Sequence, residues 1–446
     1  MAQQRMASKP AAQKPGSDRR QFFRTAAALA AAPTIVPATV FAKDDRPAPS
    51  DRVVVGSIGT GDLGLRHHLA NKLLPNKRIE MAAVCDVDRN HREEAAKLVL
   101  DKTGRRVGIY KDFRDLCDRQ DIDAVLIAVP DHWHALASIY AMESGKDVYC
   151  EKPLTLTIDE GKKMVETARR YGAVFQTGSQ QRSDSRFRLA CELVRNGKIG
   201  KLQRVDTQIG GIDSGGWQPA TTPPPELDWN FWLGPAPYAD YSPNRCHYQF
   251  RWFSDYSGGK MTDWGAHHND IAQWGIGADG SGPVKVKGTG TYHENGPHDV
   301  PGEFDVDYTY ANGVELHCHS QGENGIKFTG SDGWLFVSRG RIEMQLGDKN
   351  WKEYNELVKE FNPDSFQTKL YVSRDHHENW LDCIKSRERP ICDVEVGYRS
   401  VTVCHLGNLA IQLGRELNWD PEKEQFVGDE QANLLLSKPM RAPWHV

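Results

Sequence analysis

From residue 51 to about 178, short apolar runs alternate with longer amphipathic stretches, which predicts strand and helix in turn around a parallel, doubly wound sheet. Strands are expected at Val53–Ile58, Ile79–Cys85, Asp123–Val129, Asp147–Cys150 and Ala173–Thr177. Helices are expected from near Asp62, over Arg89–Leu100, Ala135–Ser144 and Ile158–Tyr171. A connecting helix, Phe187–Asn196, follows, and then the pattern changes. Period-two alternation at Leu202–Ile209, Val284–Tyr292, Glu303–Tyr310, Val314–Ser320 and Trp334–Val337, with glycine-rich turns between, predicts a second domain on a largely antiparallel sheet. Helices return near Asp375–Ser386 and Tyr398–Leu417. The fold class expected is therefore α/β, a Rossmann domain over 51–178 and an open-sheet α/β domain over 179–446.

The N-terminal 42 residues do not fit this alternation. Arg19 and Arg20 precede Gln21-Phe22-Phe23-Arg24, a mild apolar segment and a small-residue site at Val40-Phe41-Ala42, the pattern of a twin-arginine signal peptide. Residues 43–50 read as a polar linker. The apolar segment is too short and too broken by Pro33 and Pro37 to span a bilayer. The expectation is an exported or periplasmic protein that meets the twin-arginine export machinery as one partner and has no membrane span.

Composition narrows the partners. A net charge of −4, with 26% charged residues, leaves no basic footprint for nucleic acid. Nine cysteines, without a C-x-x-C pair, indicate neither a zinc ribbon nor a redox motif, and no disulfide pair is selected. Residues 211–275 are dense in aromatics and proline, and half of the 12 tryptophans lie between Trp217 and Trp274. Such faces suit stacking on sugar rings; the alternative is a packed aromatic cluster beneath a long loop, or a subunit contact.

The chemistry starts at Gly59-Thr60-Gly61-Asp62-Leu63-Gly64, which follows directly on the first strand. Gly59 allows the tight turn, Gly61 a close approach of backbone to a pyrophosphate, and Gly64 close packing of helix on strand. The helix beyond would direct free N–H groups at the anion. Asp86 ends the second strand 22 residues after Gly64, where a carboxylate would hold the adenosine ribose hydroxyls. A carboxylate there repels a 2′-phosphate, so NAD is expected over NADP, although Arg89 stands nearby.

Ligands of doubly wound sheets sit beyond the carboxyl ends of the strands. Two segments land there, Val129–His134 and Glu151–Pro153, so Pro130, His134, Glu151 and Lys152 are candidates to touch the cofactor. Lys152 either hydrogen-bonds cofactor ribose and substrate hydroxyl or is a surface lysine. A third segment, Gly258 to Ile271, contains Asp263, His267 and Asp270. If Thr262 caps a helix, these three share one face, and His267 between carboxylates suits a general base whose pKa they raise modestly. His268 falls on the apolar side and reads as structural. A metal held by His132, His134, Asp263 and His267 is a weaker alternative, and no metal is assigned.

On G-T-G-D-L-G, E-K-P at Glu151–Pro153 and G-G-K-M-T-D-W-G-A-H-H-N-D at Gly258–Asp270, the chain resembles the Gfo/Idh/MocA oxidoreductases. The resemblance implies a Rossmann domain, an α/β domain whose open sheet mediates dimers or tetramers, and sugar or polyol substrates. It places Lys152, Asp263 and His267 as the catalytic set, His267 taking the hydroxyl proton while hydride leaves for the nicotinamide. Net oxidation of a CH–OH group is the first expectation. A redox-neutral, NAD-dependent glycosidase or lyase acting through a keto-sugar is the second. Export favours a tightly bound cofactor in either case.

Overall fold

A computed structural model describes Pro47, Ala48 and residues 51–446. Residues 1–42, where the signal with Arg19 and Arg20 is expected, and most of the expected linker lie outside the described residues. Residues 52–446 form one compact unit.

Its first half builds a six-stranded sheet from β1 (Val53–Ile58), β2 (Ile79–Cys85), β3 (Gly108–Tyr110), β4 (Ala124–Ile127), β5 (Asp147–Cys150) and β6 (Phe175–Thr177). Helices α1 (Leu63–Leu73), α2 (Arg89–Thr103), α3 (Phe113–Cys117), α4 (Asp131–Glu143) and α5 (Ile158–Tyr171) connect them. The order is β3-β2-β1-β4-β5-β6, and every pairing is parallel. The strand order reverses between β1 and β4, which opens a crevice at their carboxyl ends. Local chemistry fixes the helix ends. Thr157 and Glu160 form a reciprocal capping box at the start of α5, and Gly172 closes its end in the left-handed conformation at φ 63°. β3 and α3 were not expected, because each is too short to show a period.

The second half begins with α6 (Ser185–Arg195) and β7 (Leu202–Gln208), followed by α7 (Trp229–Leu233), α8 (Gly259–Asp263) and α9 (Gly265–Ile276). Then come β8 (Lys285–Thr291), β9 (Glu303–Thr309), β10 (Glu315–His319), β11 (Gly325–Gly330), β12 (Gly333–Ser338), β13 (Arg341–Leu346) and β14 (Lys349–Trp351). The chain closes with α10 (Tyr354–Phe361), α11 (His376–Ser386), α12 (Val394–Leu413), β15 (Leu417–Asp420), β16 (Gln425–Phe426) and α13 (Glu430–Leu434). The sheet order is β14-β13-β12-β11-β7-β10-β9-β8-β15-β16, and only the central β7–β10 pair is parallel. Burial alternates along β9, with Phe304, Val306 and Tyr308 inside and Glu303 and Asp305 outside, as on a sheet covered on one face. Helix α11 returns to the first half, where Trp380 and Leu381 share a core with Val55, Leu69 and Leu126. All nine cysteines are buried free thiols. Among the described residues no helix is long and apolar enough to cross a membrane.

Candidate active site

A cavity of about 780 Å³ lies at the carboxyl ends of β1, β4 and β5. Its wall at β1 is the glycine turn. Gly59 has φ +82°, and a Cβ there would lie 2.4 Å from the Ala128 carbonyl oxygen. At Gly64 a Cβ would lie 2.0 Å from the Gly59 carbonyl oxygen, so α1 can approach β1 only as glycine. Gly59, Gly61, Asp62, Leu63 and Gly64 all line the cavity. The turn thus leaves a bare backbone cradle at a helix N-terminus, which fits a dinucleotide pyrophosphate.

Thr60 sits differently from the rest of the motif. It is fully buried, and its backbone N–H donates to Asp86 Oδ2 at 2.8 Å. Asp86 Oδ1 accepts from the Asp88 N–H at 2.9 Å. Thr60 therefore orients the carboxylate at the end of β2, and it is Asp86 that lines the cavity. Pro130 caps α4 and faces the same space. The His134 ring also lines it, but Nδ1 lies 2.7 Å from the Pro153 carbonyl and Nε2 lies 2.9 Å from that of Val129. His134 thus ties the β4 and β5 exits together. The neighbouring His132 is turned into the core, with Nε2 3.0 Å from the Trp232 carbonyl.

Beyond β5, Glu151 and Lys152 diverge. Glu151 meets His68 Nε2 at 3.0 Å and accepts the Lys152 N–H at 3.2 Å. Burial raises its pKa, but the His68 hydrogen bond and the Lys152 charge outweigh burial and hold it at about 2. Lys152 Nζ donates to Asp263 Oδ1 at 2.7 Å and to the Asp263 carbonyl at 3.0 Å. The pair is mostly buried, at 14% and 16% exposure. Burial pushes the Asp263 carboxyl up, yet Lys152 and Arg251 hold it below the ordinary carboxylate range.

His267 stands on the same cavity, and its Nδ1 is buried with no partner among the described residues. Three expectations for this segment need correction. The helix is not continuous: it breaks at Trp264, and Thr262 lies inside α8, bonding Gly258 and Gly259 rather than capping. Asp270 does not face His267; it is buried in a bidentate pair with Arg182 and accepts from Ser400. The His267 pKa is lowered well below 6.5, by burial first and then by Lys152 and Arg339, instead of being raised. The carboxylate expected to raise it, Asp263, is bound to Lys152. His268 is structural as expected, with Nε2 3.0 Å from Asn324 Oδ1 and its ring fully buried.

The aromatic insertion is chiefly a packed cluster. Trp229, Trp232, Tyr241, Phe250, Phe253 and Tyr256 form a separate core. It is joined to the β2 exit beside Asp86, through Asp228 N–H to the Val87 carbonyl, Arg89 N–H to the Glu226 carbonyl and the Lys111–Asp228 ion pair. Its rim, including Phe231, His247, Tyr248 and Arg251, lines the cavity. Arg251 and Arg339 were not foreseen. Arg251 lies in a short 3-10 helix, His247–Trp252, and Arg339 in a hairpin turn, neither with a local motif, so only the folded topology brings them to the site.

Fold and cradle together define a dinucleotide-binding Rossmann domain joined to an open-sheet domain that completes its cleft. Residues 53–179 match the family described as "Oxidoreductase family, NAD-binding Rossmann fold", and residues 215–446 match "Oxidoreductase family, C-terminal alpha/beta domain". The chain belongs to the Gfo/Idh/MocA oxidoreductase family. It is 39% identical over 124 residues to a glycosyl hydrolase family 109 protein of Shewanella pealeana, a stretch covering 27% of each chain. It is 31% identical over 168 residues to the uncharacterized oxidoreductase YrbE of Bacillus subtilis, covering 36% of this chain and 47% of that protein. These matches span between about a quarter and a half of the relatives' own length. Among solved structures, the aldose-aldose oxidoreductase of Caulobacter crescentus superposes with a TM-score of 0.63 at 18% identity, over 82% of this chain and 99% of that one. The WlbA dehydrogenase of Bordetella pertussis, in complex with NADH and UDP-GlcNAcA, gives 0.61 at 18% identity, over 83% and 99%. At such identity the likeness concerns the fold.

Proposed function

We propose that this protein oxidises a CH–OH group of a sugar, polyol or derivative, with NAD held in the cavity. The observation that carries this reading is the convergence of Lys152, Asp263 and His267 on one wall of the cavity that begins at the glycine cradle. Gly59–Gly64 and Asp86 would hold the dinucleotide, and the nicotinamide supplies hydride acceptance when bound. The chain's own part is the proton. His267 is neutral at pH 7, because burial and the Lys152 and Arg339 charges disfavour the imidazolium, so it can accept the substrate hydroxyl proton. Lys152, fixed by Asp263, would orient the same hydroxyl by donating to its oxygen.

We further infer that the cofactor stays bound through turnover, the hydride taken from one sugar being passed to the carbonyl of a second sugar, which is reduced and restores NAD. The insertion is fastened across the β2 exit beside Asp86, and a protein exported folded would leave with its cofactor enclosed. The test is incubation of purified protein, without added NAD, with a sugar and aryl-glycoside panel, followed by product analysis and quantification of dinucleotide released on denaturation. Near-stoichiometric NAD(H) supports retention, whereas turnover only on added NAD contradicts it. The matches to glycosyl hydrolase family 109 proteins favour one second reading, cleavage of a glycoside through a transient keto-sugar without net redox change. Release of aryl alcohol with no accumulation of NADH would select it. Export is tested by replacing Arg19 and Arg20 with lysine and following the protein's compartment. A homo-oligomer built through the open sheet is tested by light scattering.

A further inference from the structure

The Lys152 end of the cavity gathers three cations, Lys152, Arg251 and Arg339, and three carboxylates, Asp263, Glu151 and Asp131. Asp263 meets Lys152 at 2.7 Å and Arg251 at 3.9 Å, so two cations already share it. Glu151 is engaged by His68, and Asp131 accepts from the Ser257 hydroxyl. Arg339, in the turn between β12 and β13, also lines the cavity, and among the described residues it has no ion pair. Its guanidinium carbon lies 4.7 Å over the Trp264 ring, and Nη2 donates to Gln181 Oε1 at 3.4 Å. Gln181 is buried, its Nε2 lies 3.4 Å from His268 Nδ1, and His268 is held by Asn324. A neutral chain of groups thus fixes the guanidinium from behind; among the described residues no carboxylate is within ion-pair reach of it, and Asp263 and Glu151 act on it only from farther off.

Such an arrangement suits an anion brought by the ligand. A guanidinium stacked on an aromatic face keeps a planar fork of donors that matches a carboxylate or phosphate edge. The pyrophosphate is assigned to the cradle of β1 and α1, and no residue of that turn hydrogen-bonds Arg339. Trp264, under the guanidinium, also packs edge-on to His267 at 5.9 Å between ring centroids, which places the cation next to the general base.

We propose that the substrate is an anionic sugar, a uronic acid or a sugar phosphate, and that Arg339 binds its charged substituent beside the hydroxyl facing His267. This rests on the reading of the site as one that oxidises a hydroxyl. The test compares hexuronates, hexose 6-phosphates and neutral hexoses of matched gluco, galacto and manno configuration on the holoenzyme. Reduction of the bound NAD is followed by NADH absorbance in a single turnover, steady-state turnover by product analysis, and binding by tryptophan fluorescence. Arg339→Gln is expected to raise KM or Kd for the anionic members about ten- to a hundredfold. Matched neutral hexoses should lose much less, and Arg339→Lys should recover part of the affinity. Selectivity for uronates over phosphates, or the reverse, identifies the anion. Equal use of neutral and anionic sugars, an equal effect of Arg339→Gln on both, or no selective binding of the anions overturns the proposal. Arg339-dependent binding of anions without any redox turnover leaves it standing and overturns the oxidoreductase reading instead.

Discussion

Lys152 Nζ lies 2.7 Å from Asp263 Oδ1, so a lysine just beyond a strand of the first sheet is anchored by an aspartate 111 residues further along the chain. The contact joins the Rossmann half to the helix pair of the second half. It also fixes the ammonium at the cavity wall instead of leaving it free on four rotatable bonds. A general base on one side and a fixed donor on the other make the geometry useful for proton abstraction from a hydroxyl.

Lys152→Met and Asp263→Leu are each expected to reduce kcat by about 10²- to 10⁴-fold. The double variant should be little worse than either single one, because the two side chains act as a unit. Additive losses in steady-state kinetics would show instead that Asp263 acts independently of the lysine.

The adjacent histidines have opposite roles. His267→Asn removes the proton acceptor, and kcat should fall about 10²- to 10⁴-fold with little change in Tm. His268→Ala removes a fully buried ring bonded to Asn324 and should destabilise by about 2–4 kcal/mol while the folded fraction keeps its kcat. Because the His267 pKa lies well below 6.5, the acid limb of kcat/KM should appear only below that pH. An acid limb centred at or above pH 7 would mean that another group titrates.

The glycines of the turn separate folding from binding. At Gly64 a Cβ would collide with backbone at 2.0 Å, so Gly64→Ala should impair the fold itself. At Gly61 the nearest atoms are those of the His91 ring at 3.6 Å, an ordinary contact. Gly61→Ala should therefore keep Tm without cofactor near that of the parent but weaken dinucleotide binding, since the new methyl enters the cavity. Calorimetric titration of stripped protein with NAD would check both. Unchanged affinity in Gly61→Ala would move the pyrophosphate elsewhere.

Much of this was legible from local pattern. β1, β2, β5 and α5 fall within the residues expected, because their periods, caps and β-branched runs are complete within a short window. Lys152, Asp263 and His267 could be picked out as candidates from their places after a strand or in a helix, with their roles implied by the resemblance, and the structure brings all three to the cavity. The misses are non-local. Asp270 looks equivalent to Asp263 by spacing, yet buried Arg182, in the short 3-10 helix Gln180–Ser183 ahead of α6, claims it from 88 residues away. The break at Trp264 and the Lys152 contact take both carboxylates away from His267, and neither is written in the spacing. Arg339 and Arg251 are surface-type residues by any local measure and gain meaning only beside Trp264 and Asp263.

Buried histidines set the pH dependence of stability. Burial lowers His132, His268, His376 and His405 to about 4 and His377 to about 3, against an ordinary value of 6.5. Between these limits the unfolded chain binds protons that the fold refuses, so stability is full above pH 6.5 and falls as pH drops through the folded values. Glu151, held at about 2 against 4.5, acts in the same sense below pH 4.5. Glu160 acts in the opposite sense. Burial raises it to about 7, so its contribution is full below pH 4.5 and is lost as pH rises through 7. One such glutamate is outnumbered by five histidines, and Tm should decline steadily from pH 6.5 to 4.5. His405→Gln, which can keep a hydrogen bond to the Thr155 carbonyl, should flatten that slope, and Glu160→Gln should steepen it. Scanning calorimetry in buffers of different ionisation enthalpy would also read net proton uptake on unfolding. A Tm that is flat or rises on acidification across this range would show that the histidine rings are already protonated in the fold.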